Sequence, residues 1–183
     1  NVFAVGHYNL YGGSITNGKQ IGKGNGGNVY VGASGSFTMY GGTVSGGRSE
    51  ALDSSQMPCG GNIYADGSFA MYGGRVENGY AAWAGGDIYV LRQGTFAGGI
   101  VTGGKADKVS KCVHVANDGH VRLEGDPTID QIRFGSNRQS LTVAGRFTGK
   151  VAVTWASTMN VGDEVGISED AVFSSQQLAY SAI

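Results

Sequence analysis

Apolar and polar residues alternate along this chain in short runs that glycines interrupt. Over residues 36–40 the apolar Phe37 and Met39 alternate with polar or aromatic neighbours, and Gly41 and Gly42 follow directly. Alternation with a period of two, bounded by glycine turns, predicts short, half-buried β-strands. No segment carries the apolar spacing of an amphipathic helix, so the chain is predicted to be all-β.

The alternating runs are copies of one another. Five copies begin near residues 1, 28, 62, 87 and 112, and looser echoes follow as far as residue 155. The aligned apolar positions Val2, Val29, Ile63, Ile88 and Val113 are separated by 27, 34, 25 and 25 residues. A propeller blade needs about 40 residues, whereas these spacings fit one coil of a solenoid.

The repeats predict a right-handed parallel β-helix of six to seven rungs, each with three short strands. Residues 1–160 are assigned to the β-helix and 161–183 to a C-terminal cap or a link to the next domain. The Gly-Gly pairs are expected at corners that need a positive φ. The column of Asn1, Asn28, Asn62 and Asp87 is expected at another turn, with side chains hydrogen-bonded along the axis and Cys112 below them.

Composition excludes several classes of partner. Thirteen Lys and Arg against 14 Asp and Glu give a net charge of -1, which argues against nucleic acid. No apolar run approaches the roughly 18 residues of a membrane span. With 34 glycines but only two prolines and 40% hydrophobic residues, the chain is neither collagen-like nor a disordered linker.

The motif Gly-Gly-Asn-(Ile or Val)-Tyr, followed by Gly-Ser-Phe-Thr-Met-Tyr-Gly-Gly-Thr-Val-Ser-Gly-Gly, is clearest over residues 26–47. It resembles the β-helical repeats of large, adhesin-like surface proteins of Gram-positive gut bacteria. Residues 121–151 resemble the end of such arrays. The resemblance implies a non-catalytic, secreted protein at the bacterial cell surface or cell wall, with flanking domains in the same long chain.

One outward-facing column is aromatic. Tyr30, Tyr64 and Tyr89 occupy the middle of the first strand in successive copies, with Phe3 before them and His114 after them. A glycan laid along such a strip can stack on flat rings and hydrogen-bond to phenol hydroxyls. The alternative is structural, because stacked aromatic residues also stabilise exposed strands. A second column, Tyr11, Tyr40 and Tyr72, ends at the fourth copy.

The segments between the third strand and the next copy vary in length, and we expect them to project from one edge as loops. Solenoids commonly bind their ligands on such insertions. In the longest, residues 46–59, Arg48 and Asp53 are candidate polar contacts for a ligand. Trp83, in a Gly- and Ala-rich segment, is the candidate stacking residue, or else a plug that covers the coil.

Catalytic chemistry is weakly represented. The outward acids lie in separate columns, and Arg75 beside Glu77 is the nearest approach to a lyase site. The three histidines are interpreted as surface residues, and no metal site or cofactor is predicted. Cys59 and Cys112 are the only cysteines, and the sequence leaves open whether they are free or paired.

The sequence therefore predicts a non-catalytic, extracellular β-helix module that binds a glycan or host surface ligand through Tyr30, Tyr64, Tyr89 and Trp83. Two alternatives stay open at this point. One is a fragment of a carbohydrate-active enzyme, either a polysaccharide lyase or a glycoside hydrolase, and the other is a purely structural spacer.

Overall fold

The chain winds into stacked coils whose strands run parallel to one another. The computed structural model describes residues 1–136, 138–156, 166–167 and 178–180, and every regular element in them is a β-strand. The first four coils contain, in chain order, β1 (Val2–Ala4), β2 (His7–Leu10), β3 (Ser14–Thr16), β4 (Lys19–Ile21), β5 (Val29–Val31), β6 (Ser36–Met39), β7 (Thr43–Ser45), β8 (Arg48–Glu50), β9 (Ile63–Ala65), β10 (Ser68–Met71), β11 (Arg75–Glu77), β12 (Tyr80–Ala81), β13 (Ile88–Val90), β14 (Gln93–Phe96), β15 (Ile100–Thr102) and β16 (Lys105–Ala106).

The later coils have fewer and longer strands. They are β17 (Val113–Val115), β18 (His120–Gly125), β19 (Thr128–Phe134), β20 (Ser140–Phe147), β21 (Lys150–Trp155), β22 (Gly166–Ile167) and β23 (Leu178–Tyr180). Both β19 and β21 run without interruption from the third strand position of one coil to the first position of the next. The first and third strand positions therefore join into a single curled sheet.

Strands at equivalent positions form four stacks along the axis. In the first stack Val2 pairs with Val29, Val29 with Ile63, Ile63 with Ile88 and Ile88 with Val113. The sequence copies are thus successive coils in register, and the predicted parallel β-helix with rungs of three strands is confirmed. A fourth, shorter stack of β4, β8, β12 and β16 joins the first four coils.

The inward positions of the first three stacks form one continuous apolar core. Val29, Phe37, Met39 and Val44 of the second coil have no solvent exposure, and their equivalents pack above and below them. Each coil buries its apolar residues only because its neighbours cover them, as in other solenoids.

Glycines form the corner between the second and third stacks. The second glycine of each Gly-Gly pair has a positive φ: 78° at Gly13, 79° at Gly42, 88° at Gly74 and 84° at Gly99. At Gly42 and Gly74 an added Cβ would lie within 3.0 Å of backbone atoms of the coil above. The predicted role of this motif is confirmed, since the corner needs both the conformation and the space.

The segments expected to project as loops are only partly loops. Each begins with a strand of the fourth stack, and the strands pair in parallel across four coils. The prediction of a loop was wrong there, because strands of two or three residues with polar outer faces, such as Arg48–Glu50, carry little apolar alternation.

Of the predicted cap, only two strands belong to the described residues. Gly166–Ile167 pairs with β20, and Leu178–Tyr180 pairs with β21, both in parallel. The rest of residues 161–183 lies outside the described residues.

Candidate functional site

The predicted aromatic column forms a continuous ladder on the outer side of the first stack. Ring centroids lie 5.1 Å apart for Phe3–Tyr30, 5.2 Å for Tyr30–Tyr64, 5.3 Å for Tyr64–Tyr89 and 5.3 Å for Tyr89–His114. The three tyrosine rings are within 15° of parallel. This first aromatic ladder arises because the coils repeat at the strand spacing, which places identical rings in contact.

Stacking decides which part of each ring a ligand can reach. Both faces of Tyr30, Tyr64 and Tyr89 lie against neighbouring rings, so a sugar cannot stack on them in the way the sequence suggested. The three side chains are half-buried, so a ligand that contacts them must do so at ring edges and hydroxyl groups. The first aromatic ladder can therefore act as a row of hydrogen-bonding groups separated by one coil.

Burial raises the pKa of two of these hydroxyl groups, those of Tyr64 and Tyr89. Desolvation is the main cause that raises the pKa of Tyr64 to about 12, and the neighbouring Tyr30 and Asp66 contribute. The pKa of Tyr89 is also raised, mainly by burial and further by the nearby Cys59. Both groups can accordingly donate a hydrogen bond at any physiological pH.

The ladder ends in a histidine that the sequence analysis placed on the surface, which is wrong. His114 is only 7% exposed, and burial, together with the positive charge of Arg133, lowers its pKa to about 4. Arg133 occupies the next position in the same column. His114 is therefore neutral at physiological pH.

A second aromatic ladder follows the second stack and is more open to solvent. Tyr11, Tyr40 and Tyr72 stack with centroids 5.0 and 5.4 Å apart and with ring planes within 10°. They are 72%, 49% and 49% exposed, respectively. The next position in this column is Ala97, so the ladder ends there.

Trp83 lies apart from both ladders. Its side chain is half-buried, its backbone N–H donates to the carbonyl of Pro58 (3.1 Å), and its own carbonyl accepts from Val109 (2.9 Å). These bonds fix the segment in which Trp83 sits.

Arg48 is not a loop residue, contrary to the sequence analysis. It lies in β8, where its Nε donates to Glu50 Oε1 (2.6 Å) and its guanidinium sits 4.4 Å from the centre of the Tyr80 ring. Lys19 also pairs with Glu50, at 2.7 Å. These contacts hold the pKa of the Glu50 carboxyl below its usual value, the hydrogen bond with Lys19 having the largest effect.

Asp53 does lie in a loop, and there it organises the turn. Its carboxylate accepts from the backbone N–H of Ser55 (2.9 Å), from the Ser55 hydroxyl and from Gln56 Nε2 (2.9 Å). The Ser55 bonds are the main reason that the pKa of Asp53 is lowered. Tyr64 and Tyr89 thus share one surface, whereas Arg48 and Asp53 are engaged in local contacts.

A buried ladder of polar side chains stacks as the sequence predicted. Asn28 Nδ2 donates to Asn62 Oδ1 (2.8 Å), and Asn62 Nδ2 donates to Asp87 Oδ1 (2.9 Å). Backbone N–H groups of Gly47 and Gly79 donate to the same oxygens, each at 2.8 Å. These bonds satisfy backbone N–H groups next to the strands of the fourth stack, which would otherwise be buried without a partner.

Asp87 is the unusual member of this ladder. It has no solvent exposure, and no hydrogen bond of good geometry reaches its Oδ2. Desolvation raises its pKa to about 7, although contacts with Gly79 and Asn62 act in the opposite direction. Below it, Cys112 is buried and free, as is Cys59, and burial raises the pKa of each thiol to about 12.

Three of the acids considered for catalysis, Asp66, Glu77 and Glu124, are ion-paired, whereas Asp87 is buried. Glu77 Oε2 lies 2.8 Å from Arg75 Nη2, and Glu124 Oε2 lies 2.9 Å from Arg122 Nη2. Each of these last two pairs joins residues two positions apart on the outer face of a single strand. In the described part of the chain no three His, Cys, Asp or Glu side chains are grouped to hold a metal ion.

No helix among the residues described here is long and apolar enough to cross a membrane. Comparison with models of known protein families, with curated proteins and with solved structures finds no significant match. The function is therefore inferred from the geometry of this chain alone.

Proposed function

We propose that this chain is a non-catalytic, adhesin-like module of a bacterial surface protein, and that it binds a glycan along the first aromatic ladder. The observation that carries the proposal is the continuous row of Tyr30, Tyr64 and Tyr89 at 5.2 and 5.3 Å spacing. Three hydroxyls at a regular interval suit an extended polymer of repeating hydroxyl groups better than a compact ligand.

The mode of binding differs from ring stacking. Because neighbouring rings cover the ring faces, the glycan would contact ring edges and exchange hydrogen bonds with the phenol oxygens. The more exposed second aromatic ladder offers a parallel strip with the same spacing. A rigid solenoid that adds length with each coil also suits a stalk at a cell surface.

The ion pairs of Glu77 and Glu124 favour this non-catalytic proposal over the enzyme alternative. A glycosidase needs two carboxyl groups roughly 5–10 Å apart on either side of the scissile bond. Carboxylates held by arginines on their own strands are better explained as contributors to a solvated face.

A glycan array of mucin-type and plant polysaccharide structures, probed with the labelled protein, tests the proposal. Tyr64→Phe and Tyr89→Phe remove only the hydroxyls and keep the ring stack, so we expect binding to fall by about tenfold in the pair. Trp83→Ala tests the separate stacking residue, and Thr38→Ala on the second stack is the matched surface control.

Unchanged binding in the Tyr64 and Tyr89 variants would remove the first aromatic ladder as the site. If no glycan on the array is bound, the spacer alternative replaces the binding proposal. Release of oligosaccharide products from the same polysaccharides would instead establish the enzyme alternative.

A further inference from the structure

The fourth stack ends in an open strand edge. The backbone N–H groups of Lys105 and Asp107 donate to carbonyls of the preceding coil, those of Gly79 (2.8 Å) and Ala81 (3.3 Å). In a parallel ladder alternate residues point to opposite sides, so the N–H and C=O of Ala106 point away from β12. Among the described strands, none pairs with β16 on that side.

The edge is open because the chain takes a shorter path in the fifth coil. β19 passes directly from the third stack at Ile129 to the first stack at Ile132. Only Asp130 and Gln131 lie between them, where the earlier coils insert a fourth strand. A cleft of about 680 Å³ results, lined by Gly103, Gly104, Lys105, Ala106, Lys111, Cys112, Asp130 and Gln131.

The lining of the cleft carries more positive than negative charge, because it contains Lys105 and Lys111 but only one carboxylate, that of Asp130. Lys105 and Lys111 are exposed, and neither forms an ion pair with any residue that the structure describes. The nearby acids accept hydrogen bonds from neutral donors and form no ion pair with these lysines. Asp107 accepts from the Tyr80 hydroxyl (2.7 Å), and Asp130 accepts from the Thr102 hydroxyl (2.7 Å) and from a backbone N–H.

The register of the fourth stack determines which side chains a further strand could place next to β16. One column contains Lys19, Arg48, Tyr80 and Lys105 on the outer face. The adjacent column contains Gln20, Ser49, Ala81 and Ala106, of which Ser49 and Ala81 have no solvent exposure. A further strand would therefore place one side chain beside the Lys105 ammonium and a small one beneath Ala106.

We propose that an extended peptide from a partner protein adds to β16 as the next parallel strand of the fourth stack, with an acidic residue beside Lys105 followed by a small residue beneath Ala106. Backbone hydrogen bonds to Ala106 would provide attachment, and Lys105 and Lys111 would select the charge. This proposal is independent of the glycan-binding one.

The test uses a fluorescein-labelled hexapeptide of sequence Thr-Val-Glu-Ala-Thr-Ser and a matched peptide with Lys in place of Glu. By fluorescence anisotropy with the whole chain, we expect the acidic peptide to bind at least about tenfold more tightly. Amide hydrogen exchange at Ala106 should slow when the peptide is bound. Equal affinity for the two peptides, or no binding of either, would overturn the proposal.

Two variants locate the binding to this edge. Ala106→Pro removes the outward N–H, which the fold does not use, and should abolish binding. Lys105→Glu should reverse the preference between the peptides, whereas Lys19→Glu, in the same column at the far end of the stack, should leave it unchanged. Binding that survives Ala106→Pro would show that the edge is not the site, and concentration-dependent dimerisation lost in that variant would assign the edge to a second copy instead.

Discussion

At the scale of single residues, Asp87 shows the effect of a carboxyl group at a position where the preceding coils have the amide of an asparagine. Its Oδ1 takes the same bonds as Asn62 Oδ1 in the coil above, but its Oδ2 lies where the other members have an amide NH₂. In Asn62 that group donates to the carbonyl of Glu77 (2.9 Å). A carboxylate cannot donate that bond, and burial disfavours its charge, which is the main reason that the folded protein favours the protonated form of Asp87.

Replacing Asp87 with Asn should remove a pH dependence of stability. The unfolded carboxyl loses its proton near its ordinary pKa of 3.8, and the folded one near 7, so the contribution of Asp87 falls as the pH rises through this window. The free energy of unfolding of Asp87→Asn relative to the natural chain should therefore increase by about 2–3 kcal/mol between about pH 5 and pH 8.

Urea unfolding followed by circular dichroism at each pH measures this difference. Asp66→Asn is the matched control, since that acid lies on the surface beside Arg92. A relative stability that stays constant across the window would show that Asp87 is ionised in the folded chain.

At the scale of elements, the aromatic ladders allow a test of how much ring stacking adds to the free energy of unfolding beyond the burial of surface area. Tyr40 and Tyr72 are both 49% exposed and occupy equivalent positions after β6 and β10. Tyr40, however, stacks on two rings and Tyr72 on one. The pair thus separates the number of stacking contacts from solvent exposure.

We expect Tyr40→Ala to destabilise the chain by about 1 kcal/mol more than Tyr72→Ala, because an aromatic pair contributes about 0.5–1.5 kcal/mol beyond its buried area. Chemical denaturation of the two variants in parallel measures the difference. Equal losses would mean that the stacks add nothing to burial, and the ladders would then need a functional explanation for their regularity.

Some strands could be predicted from the sequence, and others could not. Strands such as Ser36–Met39 were predictable because alternation, glycine corners and repetition all agree. β16 was not, since its two residues have no periodicity of their own and pair only because β12 precedes them. The covered ring faces of Tyr64 follow from the strand spacing of a parallel β-helix, which leaves no room for a sugar between the rings. His114 holds the outward position of β17, so its burial does not follow from alternation within that strand.

At the scale of the whole molecule, the coils behave as interchangeable units in one continuous core. Gly60-Gly61-Asn62 and Gly85-Gly86-Asp87 hold equivalent positions, with φ values of 66° at Gly60 and 64° at Gly85. Deleting residues 62–86 joins Gly61 to Asp87 at matching points of successive coils. The register then places Val29 over Ile88, Tyr30 over Tyr89, and Asn28 Nδ2 within reach of Asp87 Oδ1.

This deletion variant should fold cooperatively as a shorter β-helix, because solenoid stability is a sum over coils and their interfaces. The denaturant m-value should fall by roughly one seventh, since it follows the surface exposed on unfolding and one of the seven coils formed by the described strands is lost. A control deletion of residues 62–74 removes β9 and β10 but keeps β11 and β12. The third coil then lacks its first and second strands, so the coils on either side of it cannot meet in register. If both deletions unfold alike, the coils are not equivalent units, and the third coil contains contacts that its neighbours cannot replace.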